Sequence, residues 1–390
     1  MAPSVIAPVT ERPPFARIAL LLQGGGALGA YQAGVFQALS QANIHPDCVS
    51  GISIGAINSA LIAGNPPERR VAALRAFWER ITEPPPGVLP LLTPLLNLMA
   101  MGSDALHREV NRTYAMSNLL GGAPGFFVPR ATAPYIPIPG KLDSRSFYDV
   151  SPLRATLEEL VDFDRINSKS VRLCIGAVNV RTGNMRYFDS DEEHITVDHI
   201  IASGSLPPGF PATRVADDYY WDGGLLSNTP LEWVLETRPR KDTLAFQVDL
   251  WSAVGDLPED LIGLDLRQKE IRFSSRTRAN TNQFKKMQRL RRAARRVLEC
   301  FPDKQLLAND ADLALLHSES DDTVYNIVHL IYRAKRYETS SKDYQFSRPT
   351  MEEHWSAGYR DTARTLCHPE VLQRPSAEDG VATYDLTNEP

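Results

Sequence analysis

A single serine lies between two glycines in the segment Gly51-Ile52-Ser53-Ile54-Gly55. Glycines on both sides remove the Cβ atoms that would clash if the serine occupied a sharp, strained turn. A strand-to-helix turn of that kind exposes the serine hydroxyl to a substrate. The pattern therefore predicts a nucleophile at Ser53. The alternative is a loop serine that only caps the helix predicted over 55–63.

A glycine-rich stretch, Gly24 to Gly29, follows the apolar run 18–23 and precedes a predicted helix over 30–41. One interpretation is a dinucleotide-binding loop, which would need an acidic residue at the end of the second strand, about 20 residues further on. Asp47 is at that distance but stands before the second strand, whose end carries Ser53. The other interpretation is an oxyanion hole, in which bare N–H groups near a helix N-terminus hold a negative oxygen. We favour the oxyanion hole. Its candidate donors are the N–H groups of Gly24, Gly25, Gly26 and Ala27.

A carboxylate that could activate the serine occurs in the segment YYWDGGL, where Asp222 precedes two glycines. Asp-Gly is also a strong signal for a hairpin turn, and that interpretation stays open. If the aromatic run before Asp222 is a strand, a turn at the carboxyl edge of the sheet would aim the carboxylate at Ser53. None of the eight histidines stands in a comparable setting, so we assign no histidine as a catalytic base.

Short apolar runs alternate with helical stretches from residue 17 to residue 251. This alternation predicts an α/β fold with a mostly parallel central sheet. Ligands of such sheets bind at the carboxyl ends of the strands. We expect both glycine-rich turns, at Gly24 and at Ser53, to lie at that edge. The main predicted strands cover 18–23, 48–53, 172–180, 184–189, 244–251 and 326–332.

Three motifs, in this order, make the chain similar to the patatin-like phospholipases. They are GGGALGAYQAGV from Gly24, GISIGAIN from Gly51, and WDGG with Asp222. The stretch SGSLPPGFP from Ser203 also resembles the segment that precedes the aspartate in that family. The resemblance covers roughly Arg17 to Trp251 and implies a lipid acyl hydrolase with a three-layer α/β/α core.

The resemblance also implies a mechanism, a Ser–Asp dyad in which Ser53 attacks an ester carbonyl and Asp222 accepts the hydroxyl proton. The N–H groups of the glycine loop would hold the oxyanion, and no metal or cofactor is expected. The glycines that should support the motifs are Gly29, Gly51, Gly55, Gly223 and Gly224. The expected substrate is a lipid ester. Storage polyesters or other hydrophobic esters, and a non-catalytic lipid-surface module, remain alternatives.

Two positions depart from the family pattern. Leu28 stands in the glycine loop where many members carry a basic residue, and Gln23 stands where plant members have an acid. These changes could alter how the loop meets an anionic headgroup, but they leave the backbone donors in place.

The chain outside the motifs divides into segments of different composition. We expect residues 1–14 to be a loose tail and 15–251 to be the catalytic domain. Within it, 84–140 looks like an irregular insertion that could cover the site as a cap or lid. Residues 252–374 resemble the mainly helical extension of some bacterial members. Residues from 375 to 390 should again be loose.

A strongly basic segment lies in the predicted extension. Between Arg267 and Arg296 there are 12 lysines and arginines against one acid, Glu270. Apolar residues recur there at three- and four-residue spacing from Phe284 to Val297, which predicts an amphipathic helix. Such a helix could contact an anionic membrane surface. Packing against the core explains the apolar stripe equally well and is the favoured interpretation.

Composition narrows the class of protein. The net charge of −5 over 390 residues does not indicate nucleic-acid binding. Four scattered cysteines predict neither a disulfide framework nor a metal site, and no secretory leader is visible. The apolar stretch 88–101 is too short to span a bilayer. We therefore expect a cytoplasmic protein with a possible membrane-peripheral location. The sequence contains no signal for an oligomeric state.

Overall fold

The described residues form a central sheet of nine strands. The computed structural model describes residues 8–84, 102–131, 145–258, 261–274, 277–300, 310–335, 337–375 and 380–387, with the single positions Leu95 and Leu98. In chain order the strands are β1 (Arg17–Leu22), β2 (Cys48–Ile52), β3 (Val128–Pro129), β4 (Tyr148–Asp149), β5 (Arg172–Asn179), β6 (Met185–Asp189), β7 (Thr213–Val215), β8 (Asp218–Asp222), β9 (Thr243–Asp249), β10 (Tyr325–Ile331) and β11 (Val381–Asp385). The short β3 and β4 form a separate antiparallel pair.

Of the described strands, six make up the parallel part of the sheet, in the order β11-β10-β9-β1-β2-β5. Leu22, at the end of β1, pairs with Gly51 of β2 and with Val248 of β9. The carboxyl ends of these three strands therefore lie at one edge of the sheet. The glycine loop follows β1 there and Ser53 follows β2, as the sequence predicts.

Strand β5 brings the ends of β2 and β8 together. β2 pairs with the first part of β5, with Ile52 opposite Gly176, and β8 pairs antiparallel with the last part, with Asp222 opposite Ala177. Strand β6 pairs along one edge of β5, so β2 and β8 both pair along the opposite edge. They run toward each other there, and their carboxyl ends meet. This register carries Ser53 and Asp222 to the same place.

Helices cover both faces of the sheet. In chain order they are α1 (Ala30–Gln41), α2 (Ile54–Ala63), α3 (Arg70–Ile81), α4 (Asp104–Gly121), α5 (Ser151–Leu160), α6 (Phe163–Asn167), α7 (Val197–Ser203), α8 (Leu231–Glu236), α9 (Leu261–Phe273), α10 (Thr277–Glu299), α11 (Ala311–Glu319) and α12 (Arg348–Leu366). In β1, Leu20 and Leu22 pack in a core that includes residues of α1, α2, α3 and α12. Ala19 and Leu21 pack in a second core with residues of α8 and α10. The predicted three-layer α/β/α arrangement is confirmed.

Residues beyond 251 belong to the same sheet and core. β10 pairs with β9, and β11 pairs with β10. Helix α12 lies against α1, and the two backbones approach most closely at two glycines. A Cβ on Gly34 would lie 1.9 Å from the carbonyl oxygen of Trp355, and one on Gly358 would lie 2.0 Å from that of Tyr31. The boundary that the sequence suggests at residue 251 therefore falls within one continuous sheet.

Three expectations about irregular segments need correction. The loose tail predicted from 375 contains β11, which forms because the buried Val381 extends the sheet beside β10. In the predicted irregular insertion 84–140, Ser103 caps the 18-residue helix α4; residues 85–94, 96–97, 99–101 and 132–140 lie outside the described part. At the N-terminus, Val9 N–H donates to Ala42 O at 3.0 Å, so residues 8–14 are not wholly loose.

The basic segment forms the predicted helix, α10, and the structure shows how its faces are used. Phe284 is buried against Tyr325, and Arg291 is buried and pairs with Glu236 at 2.6 Å. Core packing therefore accounts for part of the apolar stripe, although Leu290 and Val297 are exposed. None of the helices in the described ranges has the length and apolar character needed to cross a bilayer. All four cysteines are unpaired.

Candidate active site

Ser53 occupies a strained turn between β2 and α2. Its backbone has φ +57° and ψ −123°, a left-handed conformation that side chains rarely adopt. The flanking glycines allow a close approach: a Cβ on Gly51 would lie 2.2 Å from the Gly55 carbonyl oxygen, and one on Gly55 would lie 2.1 Å from that of Leu22. Ser53 N–H donates to Ser203 Oγ at 2.9 Å. The Ser203 hydroxyl thus fixes the backbone of the turn and does not engage the Ser53 hydroxyl.

Asp222 lies at the end of β8 beside this turn. Its carboxylate accepts a hydrogen bond from the Ser53 side chain and another from Gly224 N–H at 2.7 Å. The side chain is buried, with 3% of the residue exposed. Burial raises the pKa of Asp222 to about 6, although the hydrogen bonds from Ser53 and Gly224 act in the opposite direction. A short 3₁₀ turn over Gly223–Leu225 follows instead of a hairpin.

Two N–H groups of the glycine loop have no acceptor among the residues that the structure describes. Gly24 N–H donates to Asn228 O at 3.4 Å, and Ala27 N–H donates to Asp343 O at 2.8 Å. For Gly25 and Gly26, no acceptor occurs among the described residues. Of the four donors that the sequence suggests, Gly25 and Gly26 are therefore the two left available. Gly26 has φ +56°, and a Cβ there would lie 2.0 Å from Asp343 O, so glycine is required at this position.

The other supporting glycines pack the loops against their neighbours. A Cβ on Gly29 would lie 2.6 Å from a side-chain carbon of Ile54. A Cβ on Gly223 would lie 2.7 Å from the Gly176 carbonyl oxygen, and one on Gly224 would lie 2.9 Å from Asn228 Oδ1. At each of these positions the loop lies so close to its neighbour that a residue larger than glycine would clash.

The two departures from the family pattern are both buried. Gln23 Oε1 accepts from the N–H groups of Leu250 and Trp251, at 2.6 and 3.0 Å, and its Nε2 donates to Thr229 Oγ1 at 3.1 Å. Gln23 therefore ties the end of β1 to the end of β9. Leu28 is fully buried in the core and does not face the cavity.

An apolar cavity of about 280 Å³ opens beside Ser53 and Asp222. Its aromatic lining comes from distant parts of the chain: Phe126, Phe127, Tyr148, Phe210, Trp251, Phe273, Tyr344 and Phe346. Gly24, Gly25 and Gly26 line it as well. No histidine occurs among the described residues that line it. Ser53, the buried Asp222 and the glycines of the loop thus meet at one apolar cavity.

Sequence reasoning missed several residues of this site. Asn228 follows the DGG motif in the stretch SNTP, and its polar type next to that motif is a usable signal. Trp251 ends the predicted strand 244–251, and the carboxyl end of a buried parallel strand is where ligand-contacting residues are expected. For Tyr344 and Phe346 the sequence offers no comparable signal, because they lie outside the region of family resemblance.

Comparison with known proteins identifies the family. A sequence model described as Patatin-like phospholipase matches residues 20–235, more than half of the chain. The chain belongs to the patatin-like phospholipase family. A second family model, described as Patatin phospholipase, matches residues 271–378, which include much of the region beyond the resemblance seen in the sequence.

Individual relatives match only short parts of the chain. The mouse protein named Patatin-like phospholipase domain-containing protein 6 is 34% identical over 101 residues, 25% of this chain and 7% of that protein. Lysophospholipase nte1 of Aspergillus terreus is 52% identical over 46 residues, 12% of this chain and 3% of that protein. The chain thus spans less than a tenth of the length of these relatives. The structure of VipD from Legionella pneumophila overlaps with a TM-score of 0.36 at 16% identity, covering 91% of this chain and 66% of that one.

The dinucleotide interpretation of the glycine loop finds no support in the position of Asp47. This carboxylate lies at the amino end of β2, at the edge of the sheet opposite the glycine loop. There it accepts from Ile18 N–H at 2.8 Å and pairs with Arg12. It is therefore far from any ligand held by the loop.

Proposed function

We propose that the chain is a serine lipid acyl hydrolase that cleaves carboxylic esters through Ser53 and Asp222. The observation that carries the proposal is that Ser53 and the buried Asp222 line one cavity with Gly25 and Gly26, whose N–H groups have no acceptor among the described residues. Family membership supports the same reaction class.

In the acylation step, Ser53 Oγ attacks the ester carbonyl while Asp222 accepts the hydroxyl proton. The carbonyl oxygen becomes negative, and the N–H groups of Gly25 and Gly26 donate to it. The protonated Asp222 then gives its proton to the departing alcohol oxygen. An acyl group remains on Ser53.

In the deacylation step, Asp222 accepts a proton from a water molecule that attacks the acyl-serine. The same two N–H groups hold the second oxyanion, and the proton returns to Ser53 as the fatty acid leaves. A carboxylate of ordinary pKa is a weak base for a hydroxyl or for water. The pKa of about 6 for Asp222 brings the base closer to the working range of general-base catalysis.

The lining of the cavity favours an apolar acyl chain as the part of the substrate that it receives. Aromatic rings line it on several sides, and no described lysine or arginine is part of the wall. A lipid ester fits this chemistry, and so do the chains of storage polyesters or other hydrophobic esters. A mixed-substrate assay that compares phospholipids, neutral glycerides and polyester oligomers distinguishes these classes by the acids released.

Contact with a lipid surface also belongs to the proposal. Helix α4 carries exposed apolar side chains at Met116, Leu119 and Leu120, and Leu119 also lines the cavity. An apolar surface at the mouth of the cavity would let a lipid move from a bilayer into the site without crossing water. Leu290 and Val297 of the basic helix α10 are further exposed apolar positions, suited to an anionic membrane.

A fluorogenic medium-chain acyl ester tests the dyad directly. We expect Ser53→Ala and Asp222→Asn each to lower kcat by about 10⁴-fold or more, because the two side chains act as one unit. Two matched controls should keep wild-type turnover. Ser59→Ala removes a buried hydroxyl of α2 that has no described hydrogen-bond partner, and Asp218→Asn changes a carboxylate at the other end of β8.

Wild-type turnover in both dyad variants would contradict the proposal. Lipid binding that persists without any reaction toward an active-serine phosphonate probe would support the non-catalytic lipid-surface module instead.

A further inference from the structure

The carbonyl oxygen of Gly24 receives two side-chain hydrogen bonds at the wall of the cavity. Trp251 Nε1 donates to it at 3.0 Å, and Asn228 Nδ2 donates to it at 2.9 Å. Both side chains line the cavity beside Ser53. The proposed mechanism uses the N–H groups of this loop, and these two side chains hold a carbonyl of the same loop.

Peptide geometry connects this carbonyl to the oxyanion donor. The Gly24–Gly25 bond is trans, so the Gly24 C=O and the Gly25 N–H point in opposite directions within one rigid plane. Donors that hold the carbonyl on one side therefore fix the N–H on the other. They also polarise the peptide, which makes its N–H a stronger donor.

We propose that Asn228 and Trp251 are positioning residues that hold the Gly25 N–H toward the developing oxyanion. This inference rests on the proposed function. Neither residue touches the reacting atoms in the mechanism above; each acts through the Gly24–Gly25 peptide.

The surroundings of both side chains suit this role. Trp251 N–H donates to Gln23 Oε1 at 3.0 Å, which anchors the residue at the end of β9. Asn228 also donates to Phe273 O at 2.9 Å. A Cβ on Gly24 would lie 2.4 Å from Asn228 Oδ1, so the carboxamide approaches the loop only because residue 24 is glycine.

The second oxyanion donor is held in a different way. The Gly25 carbonyl accepts from Leu28 N–H at 3.2 Å within the 3₁₀ turn Gly26–Gly29. The Gly26 N–H is therefore oriented by the backbone of the loop itself. Among the described contacts, the Gly25 N–H is the one held through side chains of other segments, so its contribution is separable by mutation.

Trp251→Phe and Asn228→Leu test the inference, since each removes the donor while keeping a side chain of similar shape. One matched control is Trp355→Phe, which loses the hydrogen bond from the indole N–H to Gln37. The other is Asn326→Leu, which loses two hydrogen bonds to the backbone carbonyls of Val371 and Gln373. Both controls remove the same kinds of donor outside the cavity lining.

Two measurements separate positioning from a general structural effect. The first is kcat and KM for the fluorogenic ester. The second compares inhibition by an acyl trifluoromethyl ketone, which forms an anionic adduct with the serine, and by the corresponding secondary alcohol, which forms none. We expect Trp251→Phe and Asn228→Leu to lower kcat by about 10-fold or more and to weaken the ketone equally, with KM and alcohol inhibition within about twofold.

The outcomes distinguish the inference from the function on which it rests. If Ser53→Ala abolishes turnover but Trp251→Phe leaves kcat and ketone inhibition unchanged, the positioning role is wrong and the dyad stands. Equal weakening of ketone and alcohol would also overturn the inference, because it indicates loss of cavity shape. If Ser53→Ala keeps turnover, the proposed function is wrong and the inference falls with it. Trp251→Phe keeps the test decisive should Asn228→Leu fail to fold.

Discussion

At the scale of single residues, opposing effects set the state of the Asp222 carboxylate. Removal from water disfavours its charged form, whereas hydrogen bonds from Ser53 and Gly224 favour it. Burial is the larger effect, so the pKa rises from 3.8 to about 6. The buried position that would make Asp222 a better base in the proposed mechanism also makes its charged form costly to the fold.

The raised pKa predicts the pH dependence of the reaction. Asp222 acts as a base only when deprotonated, so kcat/KM should rise with pH through about 6 and level off above it. An ordinary aspartate would place this rise near ~4. The measurement is a pH profile of kcat/KM with an ester that has no titrating group. An acid limb near the ordinary value would contradict the role of Asp222 as a buried base.

The raised pKa of Asp222 also predicts that the stability of the protein falls as the pH rises, whereas kcat/KM rises. Because the folded-state pKa of Asp222 lies above its unfolded value, the folded protein binds more protons between pH ~4 and ~6, and its stability falls as the pH rises through this window. The asparagine side chain of Asp222→Asn does not titrate and stays neutral across this window. We expect the variant to be more stable than wild type by about 3 kcal/mol near pH ~7.5, with the difference vanishing below pH ~4.

Urea unfolding at both pH values measures this difference, with Asp218→Asn as the control. A variant that is less stable than wild type at neutral pH would show that the hydrogen bonds to the carboxylate outweigh the cost of its burial.

At the scale of elements, strand register brings the two residues of the proposed dyad together. β2 and β8 end against each other along one edge of β5, so a shift of either strand would separate Ser53 from Asp222. The glycine loop is positioned by β1, whose end is tied to β9 through Gln23. Three pairings of distant segments therefore determine one site.

The crossing of α1 and α12 offers a test at this scale. Gly358→Ala places a Cβ 2.0 Å from the Tyr31 carbonyl oxygen, so the helices must separate. Alanine favours a helix by about 1 kcal/mol over glycine, but overpacking of this kind costs more. We expect a net loss of about 2 kcal/mol in the free energy of unfolding. Ser356→Ala, an exposed change in the same helix, should be neutral or slightly stabilising in the same urea titration. Equal stability of Gly358→Ala and wild type would show that the crossing can adapt.

At the scale of the whole molecule, the region beyond residue 251 completes both the sheet and the site. β10 and β11 extend the parallel sheet, and Tyr344 and Phe346 line the cavity. Asp343 accepts from Ala27 N–H through its carbonyl, while its carboxylate pairs with Lys269 at 3.1 Å. A region that composition marks as an extension thus builds the cavity wall and occupies one of the four predicted oxyanion donors.

The sequence by itself predicted the main buried strands and the three chemical groups of the proposed site. The buried runs of β1, β2, β5 and β9, the helices α1 and α2, and the loops around Gly24, Ser53 and Asp222 follow from local patterns. Apolar periodicity and the steric demands of glycine act within a few neighbouring residues, which is why a single chain reveals them.

Only the tertiary structure decided which donors stay free, how deeply Asp222 is buried and what holds the Gly24 carbonyl. Ala27 is excluded by a carbonyl from residue 343, and Gly24 is held by side chains from residues 228 and 251. These contacts join segments some 200 to 320 residues apart. No local pattern encodes them, because hydrogen-bond partners and desolvation depend on which distant surfaces the folded sheet brings together.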